Sequence, residues 1–211
     1  TDPRFWGWLY QMEHEIRQEM PIFYYNIWDD LPYPKWNEPF YSSCDLIMNI
    51  SKQTVNIVKN VWTKYPPEDW QVTYIPHGIN ENDFHPITEL DKDWDALQQF
   101  KKQMFDLSDI KFMVYFNSRN IRRKLPGDVV LAYKTFCDML PKEEAKKCAL
   151  VMHTQPIDSN GTDLPAVVAE ICPDYKVVFS HQRLDSTAMN FLYNAASITP
   201  VSYTHLRAHE T

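Results

Sequence analysis

The chain has 211 residues, enough for one large domain or two small ones, and its 44% hydrophobic content is sufficient for a buried core. The formal net charge of -7 and a pI of about 5.5 argue against general nucleic-acid binding, and no apolar run is long enough for a transmembrane segment. Cys44, Cys137, Cys148 and Cys172 lack the spacing of a metal site or a disulfide framework, so we expect reduced thiols in a cytoplasmic protein, with peripheral attachment to a membrane as the alternative.

Strand-like and helix-like segments alternate through the first part of the chain. Strands are predicted at residues 21–28, 45–50 and 70–75, and helices at residues 13–19 and 52–61. Ser51 is a good N-cap for the second helix, while residues 31–39, rich in Pro and aromatic side chains, are typical of a surface loop. This alternation indicates a parallel sheet with helical crossovers.

A polar stretch without a strong period, residues 80–89, is expected to separate two domains, with the boundary after Phe84. Beyond it, helices are predicted at residues 90–106, 126–140, 165–171 and 185–196, and strands at residues 111–117, 148–153 and 176–180, with one more strand beginning at residues 197–200. The sequences Asp91-Lys92-Asp93 and Asp93-Trp94-Asp95 imitate a DxD metal motif. They precede a helix, where they are typical of a solvated N-terminus.

Four cations follow the predicted strand at residues 111–117. They are Arg119, Arg122, Arg123 and Lys124. Ligands of parallel α/β sheets bind beyond the carboxyl ends of the strands, so a cationic loop there suits an anion, above all a phosphate. The alternative is a solvated basic turn. No GxGxxG or GxxxxGK[ST] motif can be formed from the four glycines, so a bound nucleotide would depend more on side chains.

Two stretches of the sequence carry a resemblance to a known family. Residues 75–86 read IPHGINENDFHP, and Arg119 stands five residues before Lys124. These features resemble the interdomain segment IPNGVDxxxFxP and the signature GRxxxxKG of the large retaining, nucleotide-sugar-dependent family of GT-B glycosyltransferases. Ser118 and Leu125 stand where that signature has glycine. Residues 45–54 and 185–196 are similar to two further segments of the family, and the matches follow the family's order.

The resemblance implies an α/β fold of the GT-B type, with two facing Rossmann-like domains that are both incomplete in this chain. Residues 1–84 would belong to the acceptor domain and residues 85–200 to the donor domain, where Arg119 and Lys124 would bind the donor diphosphate. Fixed cations stabilise the charge that develops on a leaving nucleoside diphosphate, so neither a metal nor another cofactor is expected. The expected partners are a nucleotide-sugar donor and an acceptor that is a glycan, a lipid or a small molecule.

The resemblance also places side chains around the cleft between the two domains. The family often has a histidine after an early strand, where this chain has Trp28 and Asp29. Trp28 could stack on a sugar ring, and Asp29 is the candidate catalytic residue; the alternative is that Trp28 is a core residue and Asp29 caps the turn. The other residues expected to line the cleft are His77, Gly78, His153 and His181.

The end of the sequence departs from the family. Its acidic E-x7-E signature, which contacts the donor sugar, should follow residues 197–200 and is absent. Residues 201–211, VSYTHLRAHET, instead resemble one reading frame of a transposase-based sequencing adapter over their whole length. We therefore expect a gene fragment from shotgun sequence, open at both ends and with a non-native tail.

The parent protein is accordingly predicted to be a glycosyltransferase that moves a sugar from a nucleoside-diphosphate donor, without a metal ion and with retention of configuration. Two alternatives stay open, a GT-B-like nucleotide-sugar epimerase and a catalytically silent GT-B scaffold that binds a partner. The fragment itself is expected to be inactive.

Overall fold

The computed structural model of the protein describes residues 2–106 and 109–202. These residues form two compact units, the first ending at Gly78 and the second beginning at Ile79. The division lies earlier than the Phe84 boundary expected from the sequence, because Phe84 packs on Tyr193 and the backbone N–H of His85 bonds to a side chain of the second unit. The tail predicted to be non-native lies outside the described residues from position 203 onward.

The first unit is built on a small parallel sheet. Its helices are α1 (Gly7–Gln11), α2 (Glu13–Glu19), α3 (Glu38–Ser42) and α4 (Lys52–Val61), and its strands are β1 (Phe23–Asn26), β2 (Leu46–Asn49) and β3 (Val72–Tyr74). The strands pair in the order β1-β2-β3, all parallel. Ser51 caps α4 as predicted, since its Oγ accepts a hydrogen bond of 3.0 Å from the Thr54 backbone N–H.

One apolar face of α4 forms the core of this unit. Ile57, Val58 and Val61 are buried at the three- and four-residue spacing of a single helix face, and they pack in one cluster with Ile47 of β2. Tyr41 of α3 is fully buried in the same cluster. This burial explains why helix structure begins inside a segment that the sequence predicted as a loop.

The second unit repeats the parallel α/β arrangement on a larger scale. Its helices are α5 (Trp94–Met104), α6 (Pro126–Asp138), α7 (Lys142–Ala145), α8 (Leu164–Ile171) and α9 (Ser186–Ala195), and its strands are β4 (Phe112–Asn117), β5 (Cys148–His153) and β6 (Lys176–Ser180). The sheet order is β4-β5-β6, all parallel. The bounds of β5 and β6 agree with the sequence prediction, and Asp185 caps α9 by accepting from the Ala188 N–H at 2.8 Å.

Helices cover both faces of this second sheet. Alternate residues of β4 and β5 enter two separate clusters, with Phe116 and Leu150 facing α6 and α8, and Tyr115 and Val151 facing α5 and α9. A strand buried on both faces is expected to be apolar throughout, which is why the runs in β4 and β5 are continuous rather than alternating. The strand predicted at residues 197–200 forms only an isolated parallel bridge between Ile198 and Val114.

Each of the four cysteines is buried and free, in agreement with the expected thiols. Burial raises the pKa of Cys44 to about 12 and that of Cys137 to about 11. No helix in the part of the chain that the structure describes has the length and hydrophobicity needed to span a bilayer.

Candidate functional site

The carboxyl ends of the three strands in the second unit lie level with one another. The register pairs Asn117 of β4 with His153 of β5, and His153 with Ser180 of β6. We call this row the carboxyl edge of the second sheet. The loops that leave this edge begin with Ser118, Thr154 and His181, so the predicted cationic loop and both donor-side histidines share one edge.

His153 is held at this edge by a hydrogen bond of 2.9 Å between its Nδ1 and the Ser180 Oγ. Burial lowers the pKa of His153, so its imidazole is neutral at pH 7 and can donate from one nitrogen while accepting at the other. His181, one residue past β6, lines a pocket of about 320 Å³ together with Gln182 and Leu184. The structure therefore brings both predicted histidines to the ends of neighbouring strands.

The cationic loop, residues 118–125, is a compact turn rather than an extended loop. Arg122–Lys124 form a single 3-10 turn, and Leu125 follows with φ 46° and ψ 48°, in the left-handed region that favours glycine. Leu125 stands where the resembling signature has its second glycine, and a residue with a Cβ is strained in this conformation. Pro126 then opens α6, as predicted.

A second loop, residues 154–163 between β5 and α8, lies against the cationic loop. Asn120 is fully buried between them, and its Nδ2 donates to the carbonyls of Gln155, Pro156 and Thr162 at 3.1, 3.2 and 2.7 Å. Its Oδ1 accepts from the Thr162 N–H at 3.1 Å. One side chain therefore satisfies four backbone groups of the neighbouring loop, and the two loops form one structural unit.

Glycine is needed at position 161 for this contact. A Cβ added to Gly161 would lie 2.3 Å from both the carbonyl oxygen and the Oδ1 of Asn120, a separation that real Cβ atoms do not tolerate. A further backbone bond of 3.1 Å runs from the Arg122 N–H to the Asn160 carbonyl. The close approach of the two loops thus depends on a small residue on one side and a buried amide on the other.

Arg119, one of the two predicted diphosphate ligands, forms an ion pair that the sequence did not predict. Its Nε lies 3.3 Å from the Asp158 Oδ2, and its side chain is 66% exposed whereas that of Asp158 is 13% exposed. The pKa of Asp158 is lowered by the backbone N–H of Asn160 and by Arg119, so this carboxylate is charged at neutral pH. Because the pair uses only Nε, the terminal nitrogens of Arg119 stay available for a bidentate contact with an anion.

The sequence reading missed both Asn120 and Asp158. The run Asp158-Ser159-Asn160-Gly161 is typical of a turn in which an aspartate accepts a nearby backbone N–H, and Asp158 accepts from the Asn160 N–H at 2.9 Å. That turn could have been predicted. Its contact with a loop some forty residues earlier could not, since no local pattern encodes it.

In the first unit, His77 and Gly78 follow β3. The hydroxyl of Tyr25 lies 3.1 Å from the His77 Nδ1 and donates to the Ile75 carbonyl at 2.9 Å, so it ties this segment to β1. A Cβ built on Gly78 would meet nothing within 4 Å, and its φ is not positive. The first unit therefore does not itself require glycine at position 78.

Trp28 and Asp29 leave the carboxyl end of β1. The Trp28 indole N–H donates to the Asp30 carbonyl at 3.0 Å, and the half-buried ring packs edge-on against the exposed Trp36 at 6.1 Å. The Asp29 carbonyl accepts from Gln53, while its carboxylate has no hydrogen-bond or ion-pair partner among residues 2–106 and 109–202. A catalytic role for Asp29 and a stacking role for Trp28 stay predictions.

Three further cations follow Arg119 in the loop at the carboxyl edge of the second sheet. Arg122 and Arg123 are exposed and Lys124 is half-buried, next to the paired Arg119. In the described ranges, no group of three or more histidine, cysteine, aspartate or glutamate side chains is placed to hold a metal ion. Four of the cations at this edge belong to the cationic loop, and the exposed Arg183 belongs to the loop after β6.

Comparison with solved structures shows the fold. The chain is similar to an α,α-trehalose-phosphate synthase (UDP-forming) from Burkholderia vietnamiensis, with a TM-score of 0.60 and 10% identity over 92% of this chain and 48% of that one. An OtsA apo structure gives a TM-score of 0.62 and 13% identity, over 92% of this chain and 50% of that one. The structure titled trehalose-6-phosphate from E. coli bound with UDP-2-fluoro glucose gives 0.58 and 13%, with the same coverage.

No protein-family model matches the chain, and no curated protein is similar to it in sequence. The chain spans about half the length of the solved structures it matches. At identities of 10 to 13%, the likeness establishes the fold alone. The two parallel α/β units are those of the GT-B fold, as the sequence predicted.

Proposed function

We propose that this chain is part of a glycosyltransferase that takes a sugar from a nucleoside-diphosphate donor, and that its second unit binds the donor. The observation that carries the proposal is the cationic loop at the carboxyl edge of a parallel sheet, where α/β folds bind ligands. Two solved structures of the same fold support a uridine nucleotide, since their titles name a UDP-forming synthase and bound UDP-2-fluoro glucose. The first unit would then belong to the acceptor side.

Arg119 and Lys124 are the side chains proposed to hold the diphosphate. As the bond between sugar and diphosphate breaks, negative charge grows on the leaving oxygen, and fixed cations stabilise that state more than the ground state. The terminal nitrogens of Arg119 suit two phosphate oxygens, and Lys124 contributes a point charge from the turn that ends at Leu125. With both cations in place, the proposed transfer needs no metal ion, and retention of configuration is proposed from the resemblance.

The pocket beside His181 is proposed to take the nucleoside part of the donor. It runs along the second half of β6 to His181 at the carboxyl edge, and combines the apolar Phe100 and Leu184 with the polar Gln182. A mixed lining of this kind suits a flat base with a few hydrogen-bonding groups. The acceptor is proposed to be a glycan, a lipid or a small molecule.

The test is turnover of a UDP-sugar by the full-length parent protein. Arg119→Ala and Lys124→Ala should each lower kcat/KM by roughly 10²-fold or more, the scale of losing one transition-state donor. Arg123→Ala is the matched control, since Arg123 is an exposed cation of the same turn with no partner among the residues described. Unchanged kcat/KM in both variants, or an equal loss in the control, would overturn the assignment.

A further inference from the structure

Asn120 lies in the sequence between the two proposed diphosphate ligands, Arg119 and Lys124, yet its side chain does not face the solvent. It is fully buried although both Arg119 and Arg122 are exposed, and it uses both ends of its amide on the neighbouring loop. Only a side chain with a donor and an acceptor at this length can serve the carbonyl and the N–H of Thr162 together. Aspartate lacks the donor, and an apolar residue lacks both.

The contacts of Asn120 fix the loop that carries Asp158. Residues on both sides of Asp158, Pro156 and Thr162, bond directly to the Asn120 amide. Asp158 in turn accepts from the Nε of Arg119, the residue next to Asn120 in the chain. Hydrogen bonds therefore link Asn120 to the second loop and the second loop to the Arg119 guanidinium, and the peptide bond between Arg119 and Asn120 closes the ring.

We infer that Asn120 is a positioning residue: by locking the second loop to the cationic loop, it sets the Asp158 carboxylate that aims the terminal nitrogens of Arg119 at the donor diphosphate. This inference rests on the proposed function. Arg119 is two-thirds exposed, so without Asp158 in place its long side chain would sample many rotamers and lose entropy on binding. The competing explanation is that Asn120 only satisfies buried carbonyls and affects stability alone.

The preference for a diphosphate over a monophosphate separates the two explanations. A purely structural Asn120 would change the folded fraction, which scales the affinities for UDP and UMP equally. A positioning Asn120 would weaken UDP more than UMP, since the contact made by Arg119 is proposed to be with the diphosphate. The ratio of the two dissociation constants is therefore a readout that lost stability does not move.

The experiment measures binding of UDP and UMP to the 211-residue chain by titration calorimetry, alongside thermal melts. We expect the wild type to bind UDP more tightly than UMP, and Asn120→Ala to reduce that preference about tenfold, the scale of one charge-assisted hydrogen bond. Asn120→Ser, which keeps a small polar side chain, is the milder variant and should reduce it in the same direction. In an Arg119→Ala background, Asn120→Ala should have no further effect on the preference.

Asn194→Ala is the matched control. Asn194 also bonds a backbone segment through both ends of its amide. It donates to the His85 carbonyl at 2.9 Å and accepts from the Ile87 N–H at 2.7 Å. Its removal should lower the melting temperature and leave the preference for UDP intact. A wild-type preference that survives in both Asn120 variants would overturn the inference. A wild type without any preference would instead overturn the proposed function.

Discussion

The two sheets of this protein have the same three-stranded parallel topology but use their carboxyl edges differently. In the first unit, β1 and β2 end in Asn26 and Asn49, which are fully buried. The Asn26 Nδ2 donates to the Asn49 Oδ1 at 3.2 Å and to the Tyr41 hydroxyl at 3.4 Å. In the second unit, the strand ends are more exposed and charged side chains follow in the loops. The strand-end amides of the first edge face inward, whereas the cations that follow β4 at the second edge face outward.

Buried side-chain amides have a different role in each unit. In the first unit, the amides connect neighbouring strands and no side-chain charge is involved. In the second, Asn120 connects two loops, and the exposed Arg119 pairs with the largely buried carboxylate of Asp158. The comparison indicates that the strand-end amides of the first edge stabilise its sheet, whereas Asn120 holds together two loops that present charge.

The largest expected effect is on the stability of the first unit. Asn49→Ala should lower its free energy of unfolding by about 3 kcal/mol, at about 1 kcal/mol for each buried group that loses a partner. The groups concerned are the Asn26 amide and the carbonyls of Ile47 and Thr73. Urea unfolding followed by tryptophan fluorescence measures this, because every tryptophan except Trp94 lies in the first unit.

The control for that measurement is Asn56→Ala, on the exposed face of α4. We expect its unfolding free energy to stay within about 0.5 kcal/mol of the wild type, as for most surface changes. Equal losses in the two variants would mean that the buried amides of the first edge carry no special share of its stability.

Two glycine-to-alanine substitutions, one in each unit, test where a close backbone approach requires glycine. Gly161→Ala should destabilise the second unit by about 1–3 kcal/mol, the usual range for overpacking, because its Cβ would meet Asn120 at 2.3 Å. Gly78→Ala should leave stability unchanged, because a Cβ there meets nothing within 4 Å. Thermal melts of both variants test this, and a drop in melting temperature for Gly78→Ala would contradict it.

A change of pH is expected to have a smaller effect on stability. Burial lowers the pKa of His153 in the folded state, so below its ordinary value of about 6.5 the unfolded chain binds a proton that the folded chain resists. Stability should therefore fall as the pH drops from about 7.5 to 5.5, and His153→Gln should make that fall shallower. Melting temperatures across this window decide the point, and parallel curves for the two proteins would refute it.

The smallest expected effect is a gain in the stability of the second unit. Leu125→Gly should raise the stability of the second unit by up to about 1 kcal/mol, because φ 46° costs a residue with a Cβ more than it costs glycine. Part of the gain is offset by the greater freedom of glycine in the unfolded chain. Chemical denaturation of the single variant is the measurement, and a loss of stability would show that contacts of the Leu125 side chain outweigh its backbone strain.

The sequence predicted those parts of the structure that local patterns determine. The apolar runs of β4 and β5, the caps Ser51 and Asp185, and the cations after β4 all lie where the pattern placed them. The parallel topology followed from the alternation of strands and helices.

Features that depend on contacts between distant residues were missed. Helix α3 begins within the last two residues of the predicted loop, because Tyr41 is buried and the Glu38 carboxylate accepts from the N–H groups of Thr63 and Lys64 at 2.6 and 2.7 Å. The same holds for Asn120 and Asp158, whose partners lie in a different loop. Their residue types are common in turns, so nothing in the local sequence distinguishes them.

The buried thiols give the protein a built-in chemical reporter of local opening. Cys44 belongs to the first unit, and the remaining three cysteines belong to the core of the second. Because only the thiolate reacts, a thiol whose pKa is raised to about 12, such as Cys44, is protected from alkylation while its unit stays closed. The rate at which iodoacetamide labels Cys44, compared with Cys137, therefore reports how often each unit opens, without any change to the sequence.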